Sequence, residues 1–261
     1  MTSRPVRIGV QLQPQHGEYR SIRRAVTEAE DLGTDILFNW DHFYPLSGDP
    51  DGLHYECWTM LAAWAEQTSR VEIGALVTCN SYRNPDLLAD MARTVDRIGD
   101  GRLILGIGSG WFERDYQEYG YDFGTAGSRL TDLAEALPRI ESRWAKLNPA
   151  PTRDIPVLIG GGGEKRTLRY TARHADIWHG FGDATTIARK NAILDEWCTV
   201  EGRDPAAIER SAGVDGSPDE LAEPLLAAGT TFFTLGATGP YFDLGPLRDW
   251  VAWRNERVTA G

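Results

Sequence analysis

The sequence is poor in residues that would staple, cross-link or anchor it. Cysteine occurs three times in 261 residues, at Cys57, Cys79 and Cys198, an odd number, widely spaced and without a CxxC pair. That pattern leaves neither a disulfide framework nor a zinc ribbon and suits a reducing compartment. Lysine is as scarce: Lys146, Lys165 and Lys190 all fall in or beside helix-patterned segments, so none is available for Schiff-base chemistry inside a pocket. Basic residues are in deficit, 27 against 38 acidic, and the net charge of -11 has the wrong sign for a protein that binds a phosphate backbone. No apolar run reaches membrane-spanning length, and the opening MTSRPVRIGVQLQ passes within six residues into an alternating pattern that is not that of a signal peptide. The expectation is a soluble, cytoplasmic protein with no nucleic-acid or membrane partner.

What is present is a regular alternation. Short apolar or alternating runs at 6–13, 36–40, 71–79, 103–107, 156–159, 175–178, 209–214 and 230–235 read as strands, and each is followed by a segment with apolar residues at helical spacing. The first such helix carries Ile22, Ala25, Val26, Ala29 and Leu32 on one face. Asn84-Pro85 supplies a capping residue and a proline pre-set for the first helical position, and Ser217-Pro218-Asp219-Glu220 reads as a capping box. Eight strand–helix units in this length predict an α/β protein, a single (β/α)8 TIM barrel over residues 1–261, with an open doubly wound sheet as the competing arrangement.

In such a barrel the residues after the strand ends face the active site. Those positions bring together Gln11, Gln13 and His16; residues 39–43; Thr78, Cys79 and Asn80; residues 109–113; four consecutive glycines at 160–163; and His179, Gly180 and Phe181. With Trp40, Trp111 and Trp178 also there, the mouth is aromatic and lightly polar, fit for a flat conjugated ligand and a small-molecule substrate. Asp41-His42 is the sharpest chemical pair, since histidine exchanges a proton near neutrality and a carboxylate can orient it; satisfying loop backbone groups is the plainer role for His42. The glycine run at a strand-to-helix junction lets N–H groups approach an anion, with a bare turn as the alternative. Strand one ends Gln11-Leu-Gln13 where a metal enzyme would want imidazoles, so no metal is expected. Cys79 reads as a buried small hydrophobe rather than a nucleophile. The spacing Gly106-x-Gly-x-Gly110 is not the dinucleotide fingerprint.

Four motifs together carry a resemblance: Asn39-Trp-Asp-His-Phe43; Gly74-Ala-Leu-Val-Thr-Cys-Asn80 before Arg83-Asn-Pro85; Gly101-Arg-Leu-Ile-Leu-Gly-Ile-Gly-Ser-Gly110; and Ile159 with its glycines before His174-Ala-Asp-Ile-Trp178. Over nearly its full length the chain resembles the luciferase-like flavin and deazaflavin oxidoreductases, specifically the branch that uses coenzyme F420. The resemblance implies hydride transfer between the deazaflavin C5 and an organic substrate, with FMN-dependent monooxygenation and non-catalytic cofactor binding as the alternatives. It also implies a homodimer. By motif, Asp41 and His42 would lie beside the ring, with His42 as acid or base. Ala75 and Leu76 would flank a cis peptide that props the ring, Ser109, Gly110 and Trp111 would line the cofactor's chain, and Gly161, Gly162, Gly163 and Glu164 would hold its phosphate. Some relatives that oxidise alcohols carry a glutamate base where this chain has Trp111, so reduction of an activated double bond or carbonyl is the expected direction.

Overall fold

The computed structural model describes residues 4–260. Among them the strands are β1 (Arg7–Leu12), β2 (Ile36–Asn39), β3 (Glu72–Ala75), β4 (Thr78–Cys79), β5 (Leu103–Gly108), β6 (Val157–Gly160), β7 (Ile177–Gly180), β8 (Glu209–Gly213) and β9 (Phe232–Ala237). All pair in parallel in the order β3-β2-β1-β9-β8-β7-β6-β5-β4, and a further pairing of β3 with β5 closes the sheet. This is a (β/α)8 barrel in which β3 and β4 are two halves of the third strand.

The split is a bulge. Gly74 pairs with Ile104 and Thr78 with Ile107, so the third strand uses four steps where β5 uses three. The extra length is absorbed at Leu76 and Val77, whose connecting peptide is cis. The cis bond therefore lies one peptide beyond the predicted Ala75–Leu76. Ala75 still pairs with Asn39, and the Leu76 N–H still donates to the Asn39 carbonyl at 2.8 Å, so the chain leaves the ladder only after Leu76. Gly106 lies against this bulge, where a Cβ would stand 1.9 Å from the Ala75 carbonyl oxygen.

Nine helices surround the strands among the described residues: α1 (Tyr19–Asp31), α2 (Cys57–Gln67), α3 (Pro85–Ile98), α4 (Glu113–Tyr119), α5 (Ala126–Trp144), α6 (Thr167–His174), α7 (Ala184–Glu201), α8 (Pro218–Ala227) and α9 (Gly245–Ala260). Asn84 caps α3 as expected, accepting from the Asp86 N–H at 2.9 Å. At α8 the capping box does not form: Ser217 makes no side-chain cap bond, and Pro218 at the first position sets the entry instead.

The period-2 alternation sorts the strands into two cores. Ile8, Val10 and Leu12 of β1 face the helix layer, while Ile36, Phe38, Ile104, Leu158, Ile177 and Phe232 fill the barrel interior. The same alternation puts Gln11 inside the barrel near its C-terminal end and Arg7 inside its N-terminal end. Arg7 pairs there with Glu72, at 2.6 Å, and with Glu209. One end is thus closed by an ionic cluster, and the other is left for a site. No helix of the described residues is long and apolar enough to cross a membrane.

Candidate functional site

A cavity of 520 Å³ opens at the C-terminal ends of the strands, walled by Trp40, Leu46, Trp111, Leu130, Leu133 and Phe181. Its floor is the bulge. Leu76 and Val77 line it, and Gln11 donates through Nε2 to the Leu76 carbonyl at 2.6 Å, pinning the bulge to β1. Val77 finds room because Gly108 and Gly160 carry no Cβ, which would lie 2.9 and 3.0 Å from its methyls.

His42, in the loop after β2, lines the cavity, and its Nδ1 lies 2.7 Å from Oδ2 of Asp115 in α4. Asp115 is fully buried and also accepts from the Tyr82 hydroxyl at 2.9 Å and the Phe43 N–H at 3.1 Å. A carboxylate can only accept, so Nδ1 carries the proton and Nε2 is left for a ligand. Trp40, Trp111 and Phe112 each pack edge-on or tilted around the imidazole, with centroids 5.6 to 5.9 Å away.

Asp41 does something else. Its buried carboxylate takes both guanidinium nitrogens of Arg83, at 2.5 and 3.0 Å, and the Cys79 N–H at 3.0 Å. Burial pushes this carboxyl up, and Arg83 opposes the shift. Asp41 thereby ties β2 to β4 across the bulge, and the side chain that orients His42 is Asp115 rather than its neighbour in sequence.

The other expected residues divide. Asp41, Leu76, Ser109, Gly110, Trp111 and Gly161 line the cavity; Ala75, Gly162, Gly163 and Glu164 do not. Ala75 packs into the core towards the helices because it is still in ladder register, and Val77 takes the place beside Leu76. Trp111 is largely exposed at the rim, whereas Trp178 is wholly buried with its indole N–H on the Gly161 carbonyl, since alternation along β7 sends Ile177 and His179 inward and Trp178 outward. His16 does not reach the cavity; its Nε2 lies 2.6 Å from the Ser47 carbonyl. Burial pushes the Cys79 thiol up to about 11, and its sulfur sits 3.2 Å from the Tyr116 hydroxyl, so it is no nucleophile at neutral pH.

The glycine run ends β6 and turns through Gly161 at φ +122°, followed by three turn residues before α6 begins at Thr167. Lys190 of α7 reaches under this turn to the Gly162 carbonyl at 2.6 Å and to Glu164 at 2.7 Å, and Arg189 pairs with Glu164 as well. Among the described residues no group of three or more His, Cys, Asp or Glu side chains is arranged to hold a metal ion.

A family model described as luciferase-like monooxygenase matches residues 2–233. The chain belongs to that family. The F420-dependent glucose-6-phosphate dehydrogenase of Kineococcus radiotolerans is 26% identical over 249 residues, covering 88% of this chain and 72% of the relative. A solved F420-dependent secondary alcohol dehydrogenase, in complex with an F420-acetone adduct, superposes with a TM-score of 0.84 at 17% identity, covering 95% of this chain and 98% of that one. A riboflavin lyase with modified FMN and riboflavin superposes with a TM-score of 0.81 at 12% identity, covering 98% and 92%. At these identities the two structures show a shared fold.

In this luciferase-like chain, sequence reasoning missed Asp115, Tyr82, Arg83 and Val77. Asp115 lies two residues beyond the strand-end residues 109–113, so extending that window by one helical turn would have found it. Arg83 stood in a quoted motif without a role.

Proposed function

We propose that this protein is an F420-dependent oxidoreductase that reduces an activated double bond or carbonyl of a small organic molecule, with His42 as proton donor. The observation that carries the reading is the His42–Asp115 pair in the wall of an apolar, aromatic cavity: one ring nitrogen is fixed by a buried carboxylate and the other is left for a ligand. The F420-dependent relative that matches 88% of the chain supports the choice of cofactor.

The residues present fit a flat ring with a phosphorylated chain. Leu76 and Val77 would support the ring, and Ser109, Gly110 and Trp111 would border its chain; the Gly161 N–H is taken by the His179 carbonyl at 3.0 Å, so in the turn of Gly161, Gly162, Gly163 and Glu164 the N–H groups after Gly161 would meet the phosphate. When bound, the deazaflavin supplies hydride chemistry at its C5. The chain's own residues do the rest. Asp115 accepts from Nδ1–H of His42 and so turns Nε2 towards the cavity, where it can exchange a proton with a bound molecule. The rings of Trp40, Trp111 and Phe112 pack edge-on around the imidazole and give it an apolar setting. By the resemblance, Trp111 takes the place of the glutamate base of alcohol-oxidising relatives, and the exposed Glu113 bonds to Gln117 rather than lining the cavity. Reduction is therefore the favoured direction. The reading carries with it a cytoplasmic homodimer.

The fold is also shared with a protein that holds modified FMN, so an FMN-dependent monooxygenase is the second reading. The His42→Asn variant tests the first. With reduced F420 and a panel of enones and ketones, the variant should keep cofactor affinity within a few-fold and lose about 10² to 10⁴ in hydride transfer. A near wild-type rate would remove His42 as the donor.

A further inference from the structure

The mechanism above uses one of the two histidines in the cavity wall. The other, His179, is the penultimate residue of β7 and is 1% exposed. Its Nδ1 lies 2.9 Å from Oγ of Ser211, the residue it pairs with on β8. Its Nε2 is buried and has no hydrogen-bond partner. Phe181 packs on it edge-on at 4.8 Å, and the adjoining Gly213 offers no side chain. Burial alone pushes the imidazole pKa down to about 4, so the ring is neutral at neutral pH. A histidine kept only for packing would have both nitrogens satisfied or replaced by carbon, since an unpaired buried nitrogen is destabilising.

We infer that His179 is a recognition residue whose Nε2 hydrogen-bonds a neutral oxygen, a hydroxyl or a carbonyl, of a molecule held in the cavity. The chemistry follows from its surroundings. Among the described residues no lysine or arginine lines the cavity, and the neutral ring offers one donor or one acceptor, so a carboxylate or phosphate is poorly matched. The Ser211 hydroxyl both donates and accepts. When it donates to Nδ1, Nε2 carries the proton and binds a carbonyl; when it accepts from Nδ1–H, Nε2 is bare and binds a hydroxyl. Rotation of one hydroxyl thus lets the same pair serve an oxidised or a reduced ligand without a change of charge.

The inference rests on the oxidoreductase reading for what enters the cavity, and its test keeps the two apart. In protein labelled with ¹⁵N at histidine, the His179 ring signals are assigned by their loss in His179→Asn. They are then followed on adding F420, and on adding cyclohexenone to the F420-bound protein. We expect one His179 ring nitrogen to move by several ppm on one of the two additions. His179→Leu should weaken the ligand that caused the shift at least five-fold, and His179→Asn should recover part of that loss. A shift on F420 assigns the contact to the cofactor, and a shift on cyclohexenone assigns it to the substrate. Absence of a shift on both, with F420 shown to bind by fluorescence, overturns the inference while the function stands. If F420 does not bind at all, the function fails, and the same titration with FMN then decides whether Nε2 recognises a ligand.

Discussion

His42 and Asp115 are 73 residues apart in sequence, and their side chains meet at 2.7 Å across the loop after β2 and the helix after β5. Asp115 accepts from three donors in all, including Tyr82 and Phe43, and is fully buried, so its position is fixed by the aromatic cluster around it. Through that contact the fold decides which nitrogen of His42 faces a ligand. Asp115→Asn would keep the shape but offer an amide that can equally donate, releasing the imidazole to the other tautomer. Hydride transfer should fall by about 10²-fold or more with F420 affinity within a few-fold. An unchanged rate would show that the pair is only structural.

Gly106 passes within a methyl's width of the bulge. Gly106→Ala would drive Cβ to 1.9 Å from the Ala75 carbonyl oxygen, a backbone atom held by the ladder, so the strands must part. A loss of about 3 kcal/mol or more is expected, at the upper end for overpacking, with a falling denaturation midpoint. A midpoint within error of wild type would mean that the bulge is softer than its contacts indicate.

The turn after β6 should be sensitive to charge rather than to bulk. A Cβ at Gly161 or Gly162 meets nothing closer than 3.4 Å, so Gly162→Ala should be tolerated, while Gly161→Asp and Gly162→Asp place a carboxylate where an anion is to bind. Gly161 carries the added strain of φ +122°, which makes Gly162→Asp the cleaner probe. At least ten-fold weaker F420 binding with an unchanged circular dichroism spectrum is expected, and unchanged binding would reduce the glycines to a turn.

Two imidazoles set the acid limb of stability. Burial and then repulsion from His42 lower the His54 pKa to about 4, and Trp40 Nε1–H donates to His54 Nε2 at 3.0 Å, which requires that nitrogen bare. Burial lowers His179 to about 4 as well. In the unfolded chain both titrate near 6.5, so the unfolded state takes up protons first as pH falls. The stabilisation is complete above pH 6.5 and is lost between about 6.5 and 4, on the order of 3 kcal/mol for His179 and less for the partly exposed His54. Melting temperature should drop steadily from pH 7 to 4.5, with a shallower slope in His54→Asn and His179→Asn. A flat profile in the wild type would contradict the buried neutral rings.

The barrel was legible because its signals are local: eight short apolar runs alternate with helical spacing, and Asn84-Pro85 starts α3 where it should. The bulge was not. Leu76 and Val77 are as apolar as their neighbours, so the run 71–79 reads as one strand, and only the pairing with β5 shows the extra residue. The site was half legible. Strand ends pointed to His42, Ser109 and Gly161, but the partners of adjacent Asp41 and His42 lie 42 and 73 residues away, and no spacing rule reaches that far. Trp178 could have been placed correctly, since alternation from Ile177 already turns it outward.

Binding of the cofactor is the claim on which the rest depends, and a side-by-side fluorescence titration of the apo-protein with F420 and with FMN under identical buffer tests it most directly. The account predicts saturable binding of F420 at least ten-fold tighter than FMN, lost in Gly162→Asp and retained in His42→Asn. FMN binding as tight as F420, or tighter, would contradict it and move the protein to the monooxygenase reading.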